Sequence, residues 1–338
     1  MKIDANLGAD LAGASAAAAE LEKGGYAGVW VAEAGSDPFL ASLQAITATG
    51  SVTVGTSVAI AFARNPMTLA TVGNDLARAS GGRFVLGLGS QVKAHIERRY
   101  SMPWSRPAAR MRELVLAMRA IWASWQDGAK LDFQGDFYTH TLMTPFFAQQ
   151  PHPHGPPPVY LAGVGELMTR VAGEVGDGFF VHPFTTGRYL REVTLPALRR
   201  GREKAGRDGL DGFTVAGSQM VVTGDTEEEI AKATRGIKRQ IAFYASTPAY
   251  RPVLDLHGLG DLQPELTALS KQGRWREMTD MITDDVLGEF AVTGAPDEIA
   301  PALQARVGDV YDRVTLYTPY RVDPASFAKS LDGRGGVR

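Results

Sequence analysis

Cysteine is absent from the 338 residues. That excludes a disulfide framework, a thiolate nucleophile and a cysteine-bound zinc. An excess of positive charge is missing too. Lys and Arg number 35 against 37 Asp and Glu, for a formal net charge of −2, so neither a nucleic acid nor an anionic membrane is an expected partner. The pairs Arg98-Arg99 and Arg199-Arg200 are isolated and read as solvated helix faces. No stretch reaches the ~18 apolar residues of a membrane span. The start, Met1-Lys2-Ile3-Asp4, runs into a strand-like segment without the apolar core of a signal peptide. A cytoplasmic protein is the expectation. Neither a Gly-x-Ser-x-Gly elbow nor a His-Glu-x-x-His pair is present, so hydrolase chemistry has no support. His152 and His154 lie among prolines with no carboxylate cluster nearby, and no metal site is expected.

What is present is a regular alternation of strands and helices. Hydrophobic residues make up 44% and charged residues 21%, enough apolar material for a sizeable core. Short, β-branched strands are predicted at 3–7, 29–32, 52–58, 83–88, 159–162, 178–181, 213–222 and 313–317. Helical spacing fills 11–23, 38–48, 67–79, 105–125, 166–175, 187–204 and 226–244, and Pro296 with Glu298 opens a last helix. Asp225 is read as the cap of 226–244, with Glu228 in the capping-box position. Residues 91–105 are read as a loop and the tail beyond Tyr320 as a surface helix. Eight such units point to an α/β chain folded as a single (β/α)8 TIM barrel over 1–338. Two excursions interrupt it: 128–157, after helix 4, with a hairpin around Gly135, and 245–292, before the last helix.

The third unit is the most informative: Gly55-Thr56-Ser57-Val58-Ala59-Ile60-Ala61-Phe62-Ala63-Arg64-Asn65-Pro66. It begins as a strand, turns irregular and then opens a helix, with Asn65 as the cap and Pro66 in the first turn. In such a barrel the reactive end is where strands run out into helices. That end carries Asn6, Glu33, Ser57, Ser90, Gly163 and His182. Gly163-Val164-Gly165 links a strand to a helix and suits a phosphate through free N–H groups and the helix dipole, or serves only as a tight turn. Glu33 ends a buried strand; it holds a cofactor edge, works as acid or base, or makes a cap or salt bridge. His182 has the same alternatives. His95 sits with Lys93 and Glu97, either near an anionic group or simply exposed. Gly87-Leu88-Gly89 is a turn of the same kind and not a dinucleotide fingerprint, since the third glycine is missing.

With these residues in view the chain resembles the luciferase-like flavin/deazaflavin oxidoreductases, and more narrowly their coenzyme F420-dependent branch. The resemblance runs over nearly the whole chain. It is carried by Gly55-Thr56-Ser57-Val58 with Arg64-Asn65-Pro66, by the run from Arg83 to Gly89, by Phe133-Gln134-Gly135-Asp136-Phe137-Tyr138, and by Pro158-Val159-Tyr160-Leu161-Ala162-Gly163. Ala172-Gly173-Glu174-Val175-Gly176-Asp177-Gly178 and Val292-Thr293-Gly294-Ala295-Pro296-Asp297-Glu298 complete the set.

The resemblance implies the eight-fold barrel, a homodimer, a small-molecule substrate and a bound deazaflavin. Ser57 and Val58 match a bulged third strand whose non-proline cis peptide packs against the cofactor's central ring. Gly163, Val164 and Gly165 match the phosphate loop. Ser90 and Gln91 match the loop flanking the ring, and Glu33 an acidic position near it. Glu33, His95 and His182 remain as candidate acids or bases, His182 also as a cofactor contact. Ala34 stands where the sugar-phosphate dehydrogenases of this group have a His, and Val92 and Lys93 where they have a Glu, which argues against sugar-phosphate oxidation. The function implied is hydride transfer between F420 and a small organic substrate. The alternatives are an FMN-dependent monooxygenase of the same group and a non-catalytic F420-binding protein.

Overall fold

A computed structural model describes residues 1–8 and 10–320. Eight parallel strands close into a barrel. They are β1 (Lys2–Leu7), β2 (Gly28–Val31), β3 (Thr53–Thr56), β4 (Phe84–Gly89), β5 (Val159–Gly163), β6 (Gly178–Val181), β7 (Thr214–Val222) and β8 (Arg313–Tyr317). Each pairs with the next, and β8 pairs with β1, Lys2 opposite Arg313, which completes the ring. All eight predicted strands are found. β2, β4 and β6 are buried at every position, as strands with helices outside and a filled barrel inside must be.

The barrel is a packed core and not a pore. Its lower level holds an ion pair: Arg313 donates from Nε and Nη2 to the two Asp4 oxygens at 2.8 and 2.7 Å, and the Trp30 indole N–H donates to Asp4 Oδ2 at 2.9 Å. Gly28 is needed beside it, because a Cβ there would lie 2.3 Å from the Arg313 guanidinium. Above lie Trp30, Val85, Tyr160, Phe180 and Ala216, with Phe180 edge-on to Trp30 at 5.0 Å. These rings plug the centre. A ligand is therefore confined to the level above them, the rim formed by the carboxyl ends of the strands.

The excursions are each tied to the barrel's own elements. In the first, Phe133–Gln134 pairs antiparallel with Thr139–His140, and the Glu113 carboxylate accepts the N–H groups of Asp136, Phe137 and Tyr138 across the turn. In the second, short helices over 251–290 pack with the helix Glu227–Ala245 into a second core, including Ile237, Ile241, Leu266, Met278 and Phe290, which Met220 and Val222 of β7 join. This helical cap stands over the β6–β8 side of the rim. Ala291–Thr293 then adds a parallel strand to the upper half of β7.

Three local expectations are corrected. The helix Glu227–Ala245 is capped by Thr226 with Glu229 as its capping-box partner, one residue beyond the predicted pair. Residues 91–105 contain the short helix Lys93–Arg98. The 187–204 helix is interrupted by a π-turn at Leu190–Thr194, just before Pro196, whose ring cannot continue a regular ladder. The expected helix beyond Tyr320 lies outside the described residues. Among the described residues no helix is long and apolar enough to cross a membrane.

Candidate functional site

The third strand breaks its pairing where the sequence turns irregular. Gly55 faces Val85 and Ala59 faces Leu88, so four residues of one strand advance against three of the other, which is a bulge. The Ser57–Val58 peptide within it is cis. Side chains supply the ladder bonds that the bulge removes. The Thr56 hydroxyl donates to the Gly87 carbonyl at 2.7 Å and accepts the Gly87 N–H at 3.0 Å. The Glu33 carboxylate accepts the Ile60 N–H at 2.7 Å and Arg64 Nη1 at 2.6 Å, and Tyr100 donates to its other oxygen at 3.2 Å. Arg64 bridges on to Asp37. Burial works against the Arg64 charge, yet the Glu33 and Asp37 carboxylates outweigh it and hold the guanidinium above its ordinary range. Glu33 thus makes the salt bridge that was one of its alternatives.

The bulge turns Val58 toward the rim, half-buried, against small neighbours. A Cβ on Gly89 would fall 2.6 Å from Val58 Cγ2, and Ala162 lies on the far side. Val58 and Ala162 both rest on the aromatic plug. The result is a shallow apolar floor of small side chains, able to take a flat ring.

Beside this floor, β5 runs out through Gly163-Val164-Gly165 into the helix Glu166–Val175. Gly165 has φ +84 and open space around its α-carbon, and the helix has no side-chain cap, which leaves its first-turn N–H groups available. A cavity of about 40 Å³ opens here, lined among others by Gly163, Val164, Gly165, His182, Thr185 and Tyr250. Thr185 is 6% exposed and its hydroxyl has no partner among the described residues. His182 Nδ1 accepts the Phe184 N–H at 3.1 Å, and its ring stacks on Tyr250 at 4.6 Å. Burial pulls the imidazole down to about 4, so it is neutral at pH 7. The Tyr250 hydroxyl meets its Nε2 at 3.0 Å, and burial with the neighbouring Tyr244 pushes Tyr250 up to about 12. Tyr244 and Tyr317 join hydroxyls at 3.0 Å at the edge of the same cluster.

The fold therefore gathers Ser57 and Val58 on the same part of the rim as Gly163, Val164, Gly165 and His182, with β4 between them. Glu33 sits behind the bulge. Ser90 is half-buried and bonds the Gln91 carbonyl at 3.1 Å; Gln91 is exposed, in the left-handed region at φ 58. His95 is exposed on the short helix and does not line the cavity. Among the described residues no group of His, Asp and Glu is arranged to hold a metal. Sequence reasoning missed Thr56, Thr185 and Tyr250. Thr185 follows His182-Pro183 at a strand end, a signal that was available. Tyr250 lies in an excursion whose approach to the rim had no local signature.

Comparisons with known proteins place the chain in a family and agree with its fold. The family profile described as luciferase-like monooxygenase matches residues 3–313. A Mycobacterium tuberculosis protein described as uncharacterized is 52% identical, covering 93% of this chain and 92% of its own. The 5,10-methylenetetrahydromethanopterin reductase of Archaeoglobus fulgidus is 27% identical over 82% of this chain and 81% of its own. In fold, the chain is similar to the coenzyme F420-dependent tetrahydromethanopterin reductase of Methanopyrus kandleri, with a TM-score of 0.76, 20% identity and coverage of 98% and 96%. A bulged β3 beside a glycine turn at the rim, on a chain matched by one family profile almost end to end, makes this protein an enzyme of the luciferase-like monooxygenase superfamily, which includes F420-dependent oxidoreductases.

Proposed function

We propose that this protein binds coenzyme F420 across the rim, ring on Val58 and side-chain phosphate at Gly163-Val164-Gly165, and transfers a hydride between the deazaflavin and a small organic substrate. The observation that carries the reading is the bulge: β3 leaves its ladder only at Ser57 and Val58 and presents an apolar platform between Gly89 and Ala162. The uncapped helix start and the orphaned Thr185 hydroxyl fit an anionic side chain. The reductases named among the relatives support the choice of cofactor.

When bound, the deazaflavin supplies two-electron hydride chemistry. The chain's own part is orientation, since donor and acceptor must be held about 3–3.5 Å apart. Glu33, Arg64 and Thr56 hold the bulge in shape. The cap and the aromatic cluster of His182, Tyr244 and Tyr250 border the open side and exclude water. Glu33 is committed to Ile60, Arg64 and Tyr100 and serves as an anchor rather than a proton carrier.

Titration of the purified protein with F420 and with FMN, followed by cofactor fluorescence, tests the assignment. Saturable F420 binding and turnover with an acceptor or donor from a substrate panel are expected. Tight FMN binding without F420 binding, with oxygen uptake on reduction, identifies an FMN-dependent monooxygenase instead. F420 binding without any turnover leaves a carrier.

A further inference from the structure

The cavity beside the glycine turn is mainly apolar, with a few hydrogen-bond donors and no positive charge in its lining. Among the described residues its lining contains no lysine or arginine. Its donors are hydroxyls and backbone N–H groups. Thr185 is buried and unpartnered. Tyr250 becomes a donor through His182. The Phe184 N–H occupies Nδ1, so the ring hydrogen of the neutral imidazole sits on Nε2 and is given to the Tyr250 oxygen. Tyr250 then has its own O–H to give, with no other acceptor among the described residues. Among the described residues the one acidic side chain on the wall is Glu166, and Arg200 Nη2 donates to it at 2.8 Å in a half-exposed pair.

Charge decides what such a site accepts. A phosphodiester carries one negative charge. A phosphomonoester carries close to two at neutral pH, because its second pKa is about 6. Neutral donors meet the first in full and leave the second undercompensated in a partly dry site. Resting on the F420 reading, we propose that this cavity receives the cofactor's phosphate and selects the phosphodiester of a deazaflavin side chain over the phosphomonoester of FMN, with Thr185 and Tyr250 as the discriminating donors and His182 as the residue that positions Tyr250.

The test compares dissociation constants for F420, FMN and their phosphate-free counterparts, the deazaflavin ribityl compound and riboflavin, in the wild type and in Thr185→Val, Thr185→Ser and Tyr250→Phe. Dividing by the phosphate-free constant cancels the ring. At pH 7.5 F420 is expected to bind at least tenfold tighter than its phosphate-free counterpart, and FMN no tighter than riboflavin. At pH 5, where FMN is a monoanion, FMN should gain over riboflavin. Thr185→Val and Tyr250→Phe should each cost F420 roughly tenfold, the worth of one hydrogen bond to a charged group. Neither should affect the phosphate-free ligand, and Thr185→Ser should bind F420 as the wild type does. Cooperative ligand-free melting and a wild-type circular dichroism spectrum show that the variants are folded. An FMN-to-riboflavin gain at pH 7.5 equal to that of F420, or full F420 affinity in both variants, overturns the selection while leaving the F420 assignment standing. Failure of the wild type to bind F420 overturns both.

Discussion

Burial holds the His182 imidazole down to about 4, against about 6.5 in an unfolded chain, and the difference is a statement about stability. Between those values the unfolded state takes up a proton that the native state refuses. Stability is therefore complete above pH 6.5 and is lost as the pH falls toward 4, by on the order of 3 kcal/mol at most. Urea denaturation of the ligand-free protein at pH 7 and pH 5 measures this. The wild-type midpoint should drop over that interval, and His182→Gln, which keeps hydrogen-bonding capacity without titrating, should drop less. Parallel behaviour of the two proteins would show that His182 is not the source. Thr185 is the complementary case at this scale, a buried hydroxyl with no partner among the described residues that faces a cavity where a ligand could complete it.

The bulge in β3 is an element-scale device, because no single residue produces it. Thr56 is 0% exposed and makes both of the bonds that Gly87 would otherwise exchange with a regular neighbouring strand. Replacing it by valine keeps the shape and leaves a buried N–H and a buried carbonyl unpaired, at about 1–3 kcal/mol each. Thr56→Val should lower thermal stability accordingly and weaken F420 binding through Val58. Thr56→Ser should retain both. A Thr56→Val protein with unchanged melting temperature and unchanged F420 affinity would show that the ladder, and not the threonine, shapes the platform.

At the scale of the whole molecule, the ring is sealed by residues 309 positions apart. Asp4 on β1 and Arg313 on β8 meet in two hydrogen bonds inside the barrel, with side chains 1% and 8% exposed. Removing one partner strands a buried charge and should cost about 3–5 kcal/mol, whereas replacing both by apolar residues of similar size is far less damaging. Asp4→Leu and Arg313→Met should each lower the urea midpoint strongly. The double variant should recover most of the loss, a coupling that the thermodynamic cycle reads directly. Additive losses would mean that the pair does not hold the closure. The helical cap over 227–290 is the second feature of this scale. Its core is shared with the barrel through Phe184, Met220 and Val222, so the cap is fixed to the β6–β7 side of the rim.

Much of this was legible along the chain. All eight strands, the helix start at Asn65 and the hairpin around Gly135 follow from short-range signals: β-branched runs, caps and glycine turns act within a few residues and need no partner to be read. The bulge at Ser57 and Val58 was implied by the family resemblance, since the residues by themselves read as a strand through Val58 that only then turns irregular. Two misplacements were also local, the cap at Thr226 rather than Asp225 and the short helix at Lys93–Arg98, where neighbouring side chains offer near-equivalent choices. What the sequence alone determined is therefore the order of elements and which residues stand at the carboxyl ends of the strands. Only the tertiary structure decided what the working groups do. Glu33 became an anchor because Arg64 and Tyr100 reach it from distant loops, and Tyr250 joined His182 because the cap folds back over β6. Charge state, hydrogen-bond direction and burial depend on neighbours brought together from 31 to 68 positions away, and no window along the chain contains them.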